Sequence, residues 1–201
     1  MQFDNITPSD YLELVLNIVR QGIVKGMPRL KKDSSESLKS QILTEEFNII
    51  GTSESKVWIG ADKEHIRDKS NKREDIYFYL NDDNRTRIFF IEAKRLPKYK
   101  TKVDEEYVIG ISSTGVPSGG VQRYKLDNHG VKDVRHNGMI AYVENRSISE
   151  WEKIINKSLL TNYPEDSSLI LSPYKNEYTS THQYDSTYEY FTMHHFWVDL
   201  I

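Results

Sequence analysis

Residues 75–94 read DIYFYLNDDNRTRIFFIEAK. Two runs, Asp75–Leu80 and Arg87–Lys94, are rich in the Ile, Phe and Tyr that suit strands, and Asn81-Asp82-Asp83-Asn84 between them is turn chemistry. The stretch predicts a β-hairpin. A loop over Asp82–Arg85 sets Asn81 opposite Thr86. Ile76 then meets Ile91 and Phe78 meets Phe89 on one face, while Tyr77 meets Phe90 and Tyr79 meets Ile88 on the other. Apolar partners on both faces are what a hairpin buried between two helix layers requires. In the same register Asp75 lies across from Glu92, and Lys94 shares Glu92's face. A change of one residue in loop length would destroy that alignment.

Upstream, the sequence predicts a helix capped by Thr7, with Pro8 in its first turn, stopped by Gly22, Gly26 and Pro28. A second helix is predicted from Ser34 or Ser35 to about Phe47. Short strands follow at Asn48–Ile50 and Lys56–Ile59, then a polar loop over Asp62–Arg73. Downstream, Pro97–Gly120 reads as a long loop, expected to be mobile without substrate. After it come a short helix Gln122–Asn128, a strand Gly138–Val143, and a helix capped by Ser149 and running through Leu160. The tail holds strand-like Ser168–Ser172, a Tyr-rich segment and a final strand Phe191–Leu200. The expectation is one α/β domain over 1–201: a core at about 34–143, an N-terminal helix at 8–26 and a Tyr-rich extension at 161–201.

The 201 residues, 37% hydrophobic, suffice for one packed core. No run approaches the ~18 apolar residues of a membrane span. With no cysteine there is no disulfide framework and no thiolate chemistry, and a cytoplasmic setting is expected. Lys plus Arg is 27 against 30 Asp plus Glu, a net charge of −3, which excludes a globally basic nucleic-acid coat but not a local patch. Such a patch stands at the hairpin mouth: Lys94, Arg95, Lys98, Lys100 and Lys102 on one side, Arg67, Lys69, Lys72 and Arg73 on the other.

Two carboxylates and an ammonium at the end of an apolar hairpin suit one task. Asp75 and Glu92 offer hard oxygen ligands to Mg²⁺, which also takes waters and phosphate oxygens. Lys94 can orient or deprotonate a water and stabilise a pentavalent transition state. Taken singly, Asp75 or Lys94 is more often a surface salt bridge. The register, however, also sets Lys94 opposite Arg73, which favours an anion such as phosphate between them.

Arg73-x-Asp75 at a strand start, a hairpin, and then Ile91-Glu92-Ala93-Lys94 resemble the signature of the PD-(D/E)xK nuclease superfamily, with Glu74 where the motif's name has Pro. The resemblance covers roughly Ser34 to Val143. It implies a restriction-endonuclease-like mixed sheet flanked by helices and Mg²⁺-dependent phosphodiester cleavage. Asp75 and Glu92 would be metal ligands and Lys94 the catalytic lysine. It also implies a glutamate from the preceding helix, for which Glu36, Glu45 and Glu46 are candidates and Glu36 fits best. A polar residue on the helix after the motif is implied too, so Gln122 could touch the water or metal shell and Arg123 a phosphate, beside Arg73, Arg95, Lys98 and Lys100.

The six histidines offer no metal site: His194 and His195 point to opposite faces of a strand, and His129 and His136 read as structural or surface groups. The six tyrosines between Tyr163 and Tyr190 read as a half-buried interface. The expected function is a DNA endonuclease using Mg²⁺, or Mn²⁺ in its place. By analogy it would serve restriction or phage defence, as a homodimer or as a subunit of a larger assembly. The alternatives are a nuclease-fold module that binds nucleic acid or a partner protein without cutting, and an interaction protein working through its Tyr-rich tail.

Overall fold

The computed structural model describes residues 11–53, 59–63, 75–96, 103–130 and 133–201. Along the chain these form helices α1 (Leu12–Gly26) and α2 (Glu36–Ser53) and strands β1 (Ile59–Lys63), β2 (Ile76–Leu80) and β3 (Arg87–Leu96). Short helices α3 (Val103–Val108) and α4 (Gly120–Lys125), strand β4 (His136–Val143) and helix α5 (Ile148–Asn162) follow. Strands β5 (Ile170–Leu171), β6 (Glu177–Gln183) and β7 (Tyr190–Asp199) complete the order.

The strands form one seven-stranded sheet in the order β1-β2-β3-β4-β7-β6-β5. It is mixed: β3, β4 and β7 run parallel at the centre, and both margins are antiparallel. One apolar core lies between α1, α2 and one face of the sheet, built on Leu43, Phe47, Phe78 and Phe89. A second lies under α3, α4 and α5 on the other face, built on Tyr107, Tyr124, Trp151 and Trp197. The α/β architecture with helices on both faces is thus as expected. No helix among the described residues is long and apolar enough to cross a membrane.

The hairpin forms, with one difference that protects the site. Ile76 pairs with Ile91, Tyr77 with Phe90 and Phe78 with Phe89, as predicted. Nearer the turn Leu80 N–H donates to Thr86 O at 2.9 Å, and Tyr79 faces Arg87 instead of Ile88. A bulge absorbs the extra residue, and Ile88 joins Phe89 in the core beneath α1 and α2. Turn and strand therefore disagree by one residue, and the bulge restores the register before it reaches Asp75.

Other expectations are corrected. Gly22 does not stop α1, which runs on to Gly26; a Cβ at Gly22 would collide with the Phe47 ring, so this glycine lets α1 and α2 approach. Asn48–Ile50 is helix, not strand, because Leu43, Phe47 and Ile50 continue a helical apolar stripe. Asn48 instead caps the sheet edge: its Nδ2 donates to Ala61 O at 2.7 Å and its Oδ1 accepts from Ala61 N–H at 2.9 Å. Asp62 and Lys63 belong to β1 rather than to a loop. The long connection contains α3, whose Tyr107 and Val108 are fully buried, so it is not loop throughout. Ser147, not Ser149, caps α5. The C-terminal extension is no appendage, since β5, β6 and β7 complete the sheet. Thr7, Pro8, most of Lys56–Ile59 and Pro97 to Lys102 lie outside the described residues.

Candidate active site

The site is built at the end of β3. Residues 90, 92 and 94 point to one face of the strand, and Phe90 anchors its apolar part in the core under α3–α5. The next step of the β2–β3 ladder brings Asp75 beside Glu92. Asp75 Oδ2 accepts from Ala93 N–H at 2.7 Å, which locks the start of β2 against the motif strand. Lys94 Nζ lies 2.6 Å from Glu92 Oε1, so acid and ammonium share a face as the spacing predicted.

Of the three candidate helix glutamates, the structure brings Glu36 to this place. Its Oε2 accepts from Arg95 N–H at 2.9 Å. Glu45 and Glu46 are held elsewhere, by the two terminal nitrogens of Arg29. The start of α2 is fixed over the strand end by a buried ion pair. Lys39, one turn beyond Glu36, is fully buried and reaches Glu144 Oε1 at 2.7 Å, with Lys32 O and Ser34 O as further acceptors. Arg95 pairs with both oxygens of the same Glu144 at 2.8 Å. It therefore braces the site, and its guanidinium is committed to this pair.

Charge is concentrated here. Burial pushes the Asp75 carboxyl well above its ordinary range, and the negative charges of Glu92 and Glu36 push the same way against Ala93 N–H and Lys94. Burial likewise raises Glu36, with Glu92 adding to it and Lys94 opposing. Burial would raise Glu92 as well, but Lys94, His129 and Arg123 together hold it down at about 2. Burial works against the Lys94 charge, yet Glu92, Asp75 and Glu36 keep it a stronger holder of its proton than a free lysine. Two of the three mutually repelling carboxylates thus stay protonated more readily than in water, the condition that a divalent cation relieves.

The donor set is hard oxygen, which fits Mg²⁺, an ion that binds through one or two carboxylates and keeps several waters. Among the described residues no group of three or more His, Asp or Glu side chains is placed so that it could hold a metal ion. At Glu92, Lys94 and Arg123 contact Oε1, and His129 Nε2 lies 3.2 Å from Oε2.

Arg123 Nη1 reaches Glu92 Oε1 at 2.9 Å. Gln122 is used locally: its Oε1 accepts from Gly110 N–H at 3.1 Å and Gly119 N–H at 3.3 Å, which caps α4 instead of lining the carboxylate group. Arg73, Lys98, Lys100 and Lys102, with Arg67, Lys69 and Lys72, lie outside the described residues. His129, read from the sequence as a structural or surface group, is buried against Glu92. Nothing in a lone His-Gly marks such a contact, because α4 and the turn after it must first fold back onto β3.

A second polar cluster escaped sequence reading. Lys125 Nζ and His182 Nδ1 both lie 2.8 Å from Asp166 Oδ2. Ser180 Oγ bridges His182 Nε2 at 2.6 Å and His195 Nε2 at 2.7 Å, and His195 Nδ1 meets Tyr107 OH at 2.8 Å. The Ser-His-Asp part resembles a hydrolase triad in spacing only. Ser180 is buried and its other side is closed by His195. A pocket of about 460 Å³ opens over Lys125, Asp166 and Tyr163 and includes none of Glu36, Asp75, Glu92 or Lys94. Comparison of the chain with protein-family models, curated proteins and solved structures finds no match.

Proposed function

We propose that this chain is a Mg²⁺-dependent nuclease that hydrolyses phosphodiester bonds, a DNA endonuclease in which Mn²⁺ can substitute. The observation that carries the reading is the convergence of Glu36, Asp75, Glu92 and Lys94, from three separate segments, at the end of β3. The order α2-β1-β2-β3-α3-α4-β4, with three antiparallel strands and then β4 parallel to β3, supports a restriction-endonuclease-like fold. Restriction or phage defence, as a homodimer or as the nuclease subunit of a larger assembly, is the setting that the resemblance suggests.

Asp75, Glu92 and Glu36 would hold the ion, which supplies neutralisation of phosphate charge and a more acidic water. Lys94 can orient the attacking water or take its proton, and can stabilise charge building on the phosphate oxygens. Ala93 N–H holds Asp75, and Lys39 with Glu144 holds the start of α2, so the carboxylates keep their places while substrate binds.

One observation favours a second reading, a nuclease-fold module that binds without cutting: Glu92 is already ion-paired to both Lys94 and Arg123 through Oε1. The test is an assay on supercoiled plasmid, single-stranded DNA and RNA with Mg²⁺, Mn²⁺ or chelator, for wild type and Asp75→Ala. Metal-dependent cutting lost in the variant supports the nuclease. Binding in a gel shift with no cutting under any metal supports the silent module.

A further inference from the structure

The ion pairs on Glu92 differ in kind. His129 is buried with Nε2 3.2 Å from Oε2, whereas the Arg123 side chain is a quarter exposed and shares Oε1 with Lys94. Lys94 stands on β3, and His129 is buried at the end of the turn after α4. Arg123 stands on the six-residue helix α4, at the end of a long guanidinium arm that solvent can reach. A guanidinium on a carboxylate satisfies the same negative charge a divalent cation would, through the same oxygen. It is also the side chain best matched to a phosphate, which it can grip with two parallel hydrogen bonds.

We infer that Arg123 is a latch on the metal site: it occupies Glu92 Oε1 in the free protein and leaves it for a phosphate of the bound nucleic acid, so substrate and metal bind cooperatively. The inference rests on the metal-dependent reading and deepens it, because it sets the order in which the site becomes competent. Two cations on one carboxylate oxygen compete. Metal affinity without nucleic acid must therefore be low, and by linkage whatever draws Arg123 away must raise it.

The test is Mn²⁺ binding by titration calorimetry and electron paramagnetic resonance, with and without a 20-base-pair DNA duplex. Wild type, Arg123→Gln, Arg123→Lys and Asp75→Asn are compared, each shown to be folded by circular dichroism. Without DNA, Arg123→Gln binds Mn²⁺ on the order of tenfold more tightly than wild type, the worth of one charged hydrogen bond. DNA tightens Mn²⁺ binding in wild type and has little effect in Arg123→Gln.

Arg123→Lys keeps the charge but not the planar arm, so affinity near that of the Gln variant shows that occupation of the oxygen matters. Wild-type-like affinity in Arg123→Lys would reduce the effect to general electrostatics and overturn the latch. Equal Mn²⁺ affinity in wild type and Arg123→Gln, with binding lost in Asp75→Asn, would overturn the latch and leave the metal site standing. No Mn²⁺ binding in any form, with or without DNA, would overturn both.

Discussion

Asp75→Asn is expected to stabilise the fold while abolishing metal-dependent cleavage. Asp75 is half-buried beside Glu92, where desolvation and its neighbours' negative charge raise its pKa. Cross-strand neighbours have Cβ atoms about 5 Å apart. Two unit charges about 6 Å apart at an effective dielectric of 20 repel by about 3 kcal/mol. Asparagine removes that repulsion and the burial cost of the charge. It gives up part of the attraction to Lys94 and weakens the hydrogen bond from Ala93 N–H by about 1 kcal/mol, since its amide oxygen still accepts there. The net gain is about 1–2 kcal/mol at pH 7, a rise in Tm of about 2–8 °C for a chain of this size.

The pH dependence identifies the cause. An acid with a raised folded pKa costs stability above that pKa, and the cost is relieved as pH falls through it towards the unfolded value. The advantage of Asp75→Asn over wild type is therefore small near pH 4 and grows as pH rises towards the raised folded pKa. Calorimetric melts of both proteins from pH 4 to 8 read it directly. A variant less stable than wild type at pH 7, or a difference independent of pH, would refute the electrostatic account.

Further predictions follow from the surroundings of the site. Lys39→Met strips a buried partner from Glu144 and is expected to cost about 3 kcal/mol in chemical denaturation, the low end for a broken buried pair because Arg95 remains. It should also loosen Glu36, so cleavage falls further than stability alone explains. Burial holds His194 at about 3, with His136 and Arg20 adding to the effect. The unfolded chain takes up this proton below about pH 6.5 and the folded one does not, so its stability is full above that pH and lost as pH falls towards 3, at about 1.4 kcal/mol per pH unit. His194→Phe removes that slope in melts between pH 4 and 6.5, where Asp75 and Glu36 act in the opposite sense. Nitrogen NMR is expected to find His182 protonated on Nδ1, facing Asp166, and His195 on Nε2, facing Ser180. A chain ending at Leu160 lacks β5, β6 and β7, and circular dichroism should find it unfolded.

How much of this was legible follows from how local each signal is. The hairpin was readable because alternating apolar pairs and a polar turn lie within twenty residues, and its register placed Asp75, Glu92 and Lys94 together. The bulge at Ile88 was not readable, because it reconciles a turn and a strand that each look regular alone. Asn48–Ile50 misled because a short apolar run fits helix and strand alike, and only packing against β1 decides it. Glu36 could be preferred over Glu45 and Glu46 but not settled, since Arg29 and Arg95, which sort them, come from distant segments. Arg123 and His129 meet Glu92 from 31 and 37 positions away, and Asp166–His182 and Ser180–His195 are 16 and 15 apart, so no local pattern announces them. Even the tail's three strands gave only composition, because β7 pairs with β4 across an entire helix.

The central claim is that Glu36, Asp75 and Glu92 bind a metal and Lys94 turns it to phosphodiester hydrolysis. Lys94→Ala tests it most directly when cleavage of DNA and binding of Mn²⁺ are measured on the same preparation. The account predicts Mg²⁺-dependent cutting by wild type, and a variant that binds Mn²⁺ at least as tightly, freed of a cation on Glu92, yet cuts at least a hundredfold more slowly, on the scale of losing a positioned charged donor. Cutting at the wild-type rate by Lys94→Ala, or no cutting by wild type with any nucleic acid and either metal, would contradict it.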